Sequence, residues 1–165
     1  MTKRLNDAEF AQIVRTTPLI SVDLIIRDPD RKVLVGLRTN EPAKGFYFIP
    51  GGIILKNETI AAAFARILHS ETGCRIRYED ARFVGVFEHF YSNNRFGTSE
   101  FGTHYIVLAH EVLLAKRPTI VLDSQHSAVR WLDEAELCDA IDVHAYTKAY
   151  FRTDQSQSAR LVPVQ

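Results

Sequence analysis

Apolar positions Phe10, Ile13 and Val14 recur at helical spacing after Asn6-Asp7, which predicts a short leading helix that stops at Thr17-Pro18. The run 19–26 is β-branched and partly alternating, and a second such run covers 33–37. Between them Asp28-Pro29-Asp30 reads as a turn, so the two runs predict a hairpin. Residues 41–52 carry Pro42, Gly45, Pro50, Gly51 and Gly52 around an apolar Phe-Tyr-Phe-Ile run, the pattern of a loop, a short strand and a second tight loop.

The period changes at residue 58. From there to 72, Ile60, Ala63, Phe64, Ile67 and Leu68 share one helical face, and Gly73 falls where a left-handed C-cap belongs. Strand-like runs at 83–90 and 104–112 flank a polar, turn-rich stretch, 91–97, that reads as a long functional loop. A further run at 129–132 leads into helical stretches at 134–140 and 143–151. Strands on both sides of a central helix, with more helices at the ends, imply an α/β architecture in which a mixed sheet is covered on both faces. At 165 residues the chain fits a single domain, 1–165, with its core at 16–151 and a polar tail, 152–165, that is expected to be mobile.

Composition narrows the function. The chain is 46% hydrophobic and 24% charged, ordinary for a soluble globular protein. Twenty basic residues balance twenty acidic ones, so no net field draws it to nucleic acid or to an anionic membrane, and any phosphate recognition must be local. Cys74 and Cys138 lack the spacing of a disulfide framework or a zinc site. Charges at Asp7, Glu9 and Arg15 interrupt any leader-like apolar run, no stretch reaches transmembrane length, and a reducing cytoplasm is the expected setting.

The candidate chemistry begins on the central helix. With Glu58 at zero and about 100° per residue, Ile67 falls near 180°, Ile60 near 200°, Phe64 near 240° and Glu71 near 220°, inside the apolar stripe. A carboxylate there is costly unless it frays outward, meets an arginine or binds a cation. Pro50-Gly51-Gly52 brings bare backbone to the start of the helix, and carbonyls with one carboxylate and waters make a plausible Mg²⁺ environment. Arg66, near 80° on that wheel, can reach either a phosphate or Glu58.

Gly52, Glu58, Arg66, Glu71, Gly73 and Cys74 stand at the spacing G-x5-E-x7-R-E-U-x-E-E-x-G-U, so the segment 52–74 resembles the Nudix box without a gap. Ile67 replaces the acid that follows the arginine, and Ser70 replaces the first of the paired acids. One acidic site remains of three, which suits a single cation against a diphosphate better than multi-metal activation of water. From Thr16 to Phe151 the chain is similar to the GDP-mannose mannosyl hydrolases, through segments such as Gly36-Leu37-Arg38-Thr39-Asn40, Phe48-Ile49-Pro50-Gly51-Gly52, His89-Phe90-Tyr91, Thr103-His104-Tyr105, Gln125-His126 and Arg130-Trp131-Leu132.

The resemblance implies the Nudix fold, a mixed β-sheet sandwiched between α-helices, and hydrolysis of GDP-mannose or GDP-glucose to GDP and free sugar by water attack at the anomeric carbon with inversion. It implies one Mg²⁺ per site, with Mn²⁺ as a substitute, held by Glu71, Gln125 and the backbone at Gly51. Arg38 and Arg66 would neutralise the leaving diphosphate and His126 would be the general base, although as a residue it also reads as a solvated loop histidine. Asp23 would bind the sugar or orient His126, unless it is an edge carboxylate facing water. Tyr105 would contact sugar or phosphate with His89 in support, although strand aromatics are often core and Arg38 could be a surface charge. The expected assembly is a homodimer. Many relatives carry Arg where this chain has Ile53. His69 and His110 gain nothing from the comparison and read as surface residues. Cleavage at phosphorus by a pyrophosphatase, and a non-catalytic nucleotide-sugar sensor, are the alternatives.

Overall fold

In the computed structural model, residues 5–120 and 126–152 are described, with the side chain of His126 excepted. Tail residues 153–165 and Gln125 lie outside the described residues. The leading helix, α1 (Asp7–Thr16), starts on a capping box in which the Asn6 side chain accepts from Glu9 N and the Glu9 carboxylate accepts from Asn6 N. Strands β1 (Leu19–Arg27), β2 (Val33–Arg38), β3 (Tyr47–Phe48) and β4 (Gly51–Ile53) follow. Helix α2 (Ile60–Thr72) is capped by Thr59, whose hydroxyl accepts from Ala62 N, and ends on Gly73 at φ 69°, the left-handed conformation that glycine adopts without penalty. A 3₁₀ turn (Tyr78–Asp80) precedes β5 (Arg82–Tyr91), β6 (Thr103–Leu113) and β7 (His126–Leu132), and the described chain closes with α3 (Glu134–Asp139) and α4 (Ala145–Ala149).

The seven strands form one mixed sheet in the order β3-β2-β1-β6-β5, with β4 also pairing β1 and β7 also pairing β2. Two expectations are corrected here. Strands β1 and β2 were expected to form a hairpin but share only the pair Arg27 with Val33. Instead β1 runs parallel to β6 along its whole length, and β2 pairs antiparallel with β7. A parallel partner far away in sequence leaves no signal in the turn that joins β1 to β2. The second tight loop, at Gly51-Gly52, is strand β4, antiparallel to β1 with Asp23 opposite Gly51.

Each face of the sheet carries its own core. On one side Val22, Leu24, Ile26 and Leu34 pack against Ala63, Phe64, Ile67 and Leu68 of α2. On the other, Ile25, Val33, Val35, Val107 and Ala109 pack with Leu137 of α3, with Val143, and with Tyr150 at the end of α4. The sheet therefore lies between helices, as the α/β reading expects. Adjacent residues of β1 serve opposite cores because side chains alternate across a strand. That alternation sends Asp23 away from α2, toward α4.

Phe64 is fully buried, with edge-on contacts to Tyr78 at 5.6 Å and His110 at 5.9 Å. We predict that Phe64→Ala lowers stability by about 3–5 kcal/mol in equilibrium urea unfolding, the cost of an unfilled aromatic site.

Candidate active site

Glu58 and Arg66 form a two-point ion pair, Nε to Oε1 at 2.7 Å and Nη2 to Oε2 at 2.8 Å. Arg66 Nη2 also donates to the Ile53 carbonyl at 2.9 Å, and Glu58 Oε2 accepts from Leu55 N. Of the two partners expected for Arg66, the structure places Glu58 against it, and together they brace the 53–59 loop on α2. The arginine holds the Glu58 carboxyl below the usual carboxylate range. Ile67 is 2% exposed, and a Cβ at Gly52 would stand 3.2 Å from its Cγ1, so β4 and α2 meet there closely. Ser70 Oγ donates to the Ile67 carbonyl within the helix. The two positions that depart from the box pattern thus serve packing and the helix itself. Glu71, partly buried, lies one turn beyond Ile67 on the same face.

On the opposite face of the sheet stands a second group. Asp23 is 6% exposed in the middle of β1, which removes the edge-carboxylate reading. A Cβ at Gly51 would stand 2.4 Å from its Oδ1, so the absence of a side chain at Gly51 makes room for the carboxylate. Tyr150 donates to Asp23 Oδ2 at 2.7 Å, and the same hydroxyl lies 3.1 Å from His89 Nε2. Burial pushes Asp23 up to about 6, against the Tyr150 hydrogen bond and the charge of Arg38, which favour the anion. Burial, with His144 adding to it, pulls His89 down to about 4. At neutral pH the pair is therefore carboxylate and neutral imidazole. Burial raises the phenols of Tyr91, Tyr105 and Tyr150, so all three are un-ionised donors.

Arg38 ends β2 in a loop closed by its own backbone: its N donates to Phe46 O at 3.0 Å, its O accepts from Gly45 N at 2.9 Å, and its Nε donates to Pro42 O at 2.9 Å. The Arg38 side chain is partly buried, and its charge acts on Asp23, Tyr91, Tyr105 and His144. Asn93 Nδ2 reaches Glu41 Oε2 at 2.8 Å, tying the 92–102 loop to the Arg38 loop. Tyr105 is the cross-strand partner of His89, so both face Asp23's side of the sheet. The backbone of His126 pairs with Arg38 across β7 and β2, while its side chain lies outside the described residues.

Sequence reasoning therefore named Asp23, Arg38, His89 and Tyr105, which the fold brings together, and missed the wall supplied by α4. Tyr146 stacks on His89 at 4.2 Å and 10°, and its hydroxyl accepts from Phe90 N and donates to Phe90 O, both at 2.8 Å. His144 lies 5.3 Å from Phe48 and 5.7 Å from Tyr91, ring to ring. Only the aromatic and histidine density of 144–151 could have marked this helix. A further correction concerns His110: it is 1% exposed rather than on the surface, bonded to the Tyr78 hydroxyl and lying against Phe64. His69 is exposed, as expected.

The donors fit one hard divalent cation. Glu71 and the main-chain carbonyls around Gly51, completed by water, are the oxygen set that Mg²⁺ accepts. Among the described residues no three His, Cys, Asp or Glu side chains gather as a metal cluster.

Comparison with known proteins agrees with the fold. The NUDIX domain family profile matches residues 17–154. The chain is 40% identical over 129 residues, 78% of its length and 80% of the relative's, to the low-salt glycan biosynthesis protein Agl8 of Haloferax volcanii. It is 41% identical over 56 residues, 34% of its length and 32% of the relative's, to an ADP-ribose pyrophosphatase of Methanocaldococcus jannaschii. Among solved structures, the MutT NUDIX hydrolase of Burkholderia pseudomallei superposes with a TM-score of 0.66 at 21% identity, over 81% of this chain and 95% of that one.

A carboxyl held at about 6 instead of 3.8 costs the ionised folded state on the order of 3 kcal/mol. Because the folded value is raised, this burden is absent below about pH 4 and complete above about pH 6. We predict that Asp23→Asn is more stable than wild type at pH 7 and that the two converge at pH 4, as read by thermal unfolding across pH. The depressed His89 destabilises both proteins as pH falls from 6.5 toward 4, so it does not alter their difference.

Proposed function

The chain belongs to the Nudix hydrolase family, and from that premise we propose that it hydrolyses a nucleotide sugar, GDP-mannose or GDP-glucose, by water attack at the anomeric carbon with inversion. The observation that carries this reading is Ile67. Its side chain is core, packed on Gly52, so the helix position that would hold an acid beside Glu71 has been given to packing. With Ser70 bonded within α2, the helix retains one carboxylate for a metal and little equipment for attack at phosphorus.

In the proposed reaction a water oxygen bonds to the anomeric carbon as the bond from that carbon to the β-phosphate oxygen breaks. The electron pair leaves with GDP, and the water proton passes to a base, for which His126 is our candidate. Glu71, Gln125 and the Gly51 carbonyl would hold Mg²⁺, which would supply neutralising charge to the diphosphate. Arg38 supplies the cation on the opposite side of the sheet from α2, beside Asp23 and Tyr105, which we assign to the sugar. Arg66 is assigned to bracing the loop, because Glu58 and the Ile53 carbonyl already engage its guanidinium. The name of the Haloferax relative, a glycan biosynthesis protein, supports a sugar-linked substrate. The Methanocaldococcus relative, an ADP-ribose pyrophosphatase that aligns over 56 residues, favours cleavage at phosphorus as the second reading.

Hydrolysis of GDP-mannose with Mg²⁺ in ¹⁸O-water distinguishes the readings. We expect the label on free mannose; label on phosphate would overturn the proposal in favour of pyrophosphatase chemistry, and tight binding without turnover would make the protein a sensor. His126→Gln should lower kcat by about 10²-fold or more, and a rate within about threefold of wild type would remove His126 as the base.

A further inference from the structure

Tyr150 closes α4 on the buried side of the sheet, with 7% of its surface exposed and its ring edge-on to Phe87 at 4.7 Å. A phenylalanine would fill the same space. The hydroxyl is what distinguishes the residue, and it sits between Asp23, which the proposed reaction uses, and His89. It donates its one hydrogen to Asp23 Oδ2 at 2.7 Å, so its contact of 3.1 Å with His89 can be a hydrogen bond only if His89 Nε2 carries the hydrogen and the phenol oxygen accepts it. The ring of His89 is meanwhile clamped in plane by the stacked Tyr146. The segment that delivers both tyrosines is docked on β3, where Tyr47 N donates to Asp142 O and His144 N donates to Tyr47 O.

We propose that Tyr150 is a positioning residue of this site: its hydroxyl fixes the Asp23 carboxylate and holds His89 as the Nε2-protonated tautomer, leaving Nδ1 as the ring's acceptor. The inference rests on the reading of Asp23 as a sugar-binding group. It gives the end of α4 a part in the reaction that no residue pattern in the box supplies. A purely structural role, in which Tyr150 only satisfies a buried carboxylate, would leave the tautomer of His89 indifferent to the hydroxyl.

The test uses the full-length protein and Tyr150→Phe, which keeps the ring on Phe87. Nitrogen-15 spectra of the histidines, recorded without substrate, should show His89 protonated at Nε2 in the wild type and shifted toward the Nδ1-protonated form in the variant. With GDP-mannose and Mg²⁺, Tyr150→Phe should lower kcat by about tenfold or more while KM moves by less than about threefold, since orientation rather than affinity is lost. Adding Tyr150→Phe to Asp23→Asn should cost no further rate, because the two act as one unit. An Nδ1-protonated His89 in the wild type, an unchanged tautomer in the variant, or independent losses in the double variant would overturn the proposal. An Nδ1-protonated wild type overturns the proposal even if the variant fails to fold. A wild type that leaves GDP-mannose intact would count against the substrate reading, and the tautomer comparison would still decide the role of Tyr150.

Discussion

A carboxylate enclosed in the middle of a sheet must be compensated from every side, and Asp23 imposes that demand on the elements around it. Strand β4 meets it with a glycine, because any side chain at Gly51 would occupy the place of Oδ1. Helix α4 meets it with the Tyr150 hydroxyl, and β2 meets it with the charge of Arg38. The compensation is incomplete, since burial still pushes the carboxyl up to about 6. A cost of this kind, left unrelieved in an aromatic setting, is what a carboxylate kept for chemistry rather than for stability would show.

Helix α2 shows the opposite adjustment. Ile67 and Ser70 satisfy the helix and the core, and Arg66 is engaged by Glu58 and by a loop carbonyl. Glu71, partly buried one turn beyond Ile67, is the acidic residue of this helix. A second polar group, Asp23, His89 and Tyr105, lies on the other face of the sheet, where β1, β5, β6 and α4 converge. The two faces are joined at the pairing of β1 with β4: Val22 and Gly52 face α2, while Asp23 and Gly51 face α4.

The parts of this arrangement that were legible in the sequence are those with local signatures. Helix α2 announced itself through the spacing of Phe64, Ile67 and Leu68 and through Gly73, and α1 through Asn6 and Glu9. Asp23 stood out as a charge within an apolar run, and Arg38, His89 and Tyr105 came from the resemblance to nucleotide-sugar hydrolases. Long-range pairing was illegible. The parallel alignment of β1 with β6 joins segments more than eighty residues apart, and nothing near Asp28-Pro29-Asp30 reveals that β2 turns to β7 instead. Tyr150 was invisible for a related reason: its role arises from Asp23, 127 positions away in the chain. His110 misled because a histidine in a strand looks polar, whereas this one is enclosed by Tyr78, Phe64 and Phe83.

The two hydrogen bonds of the Tyr146 hydroxyl reach further than the ring it stacks on. Strand β5 is the last of the sheet, and the N–H and carbonyl of Phe90, both taken by that phenol, are groups that an edge strand would otherwise offer to a neighbouring chain. One side chain thus substitutes for a missing strand while it steadies a histidine of the site. Loosening α4 would uncover a template for intermolecular pairing in the same movement that releases the ring of His89, so protection of the strand edge and the placement of that imidazole share a single latch.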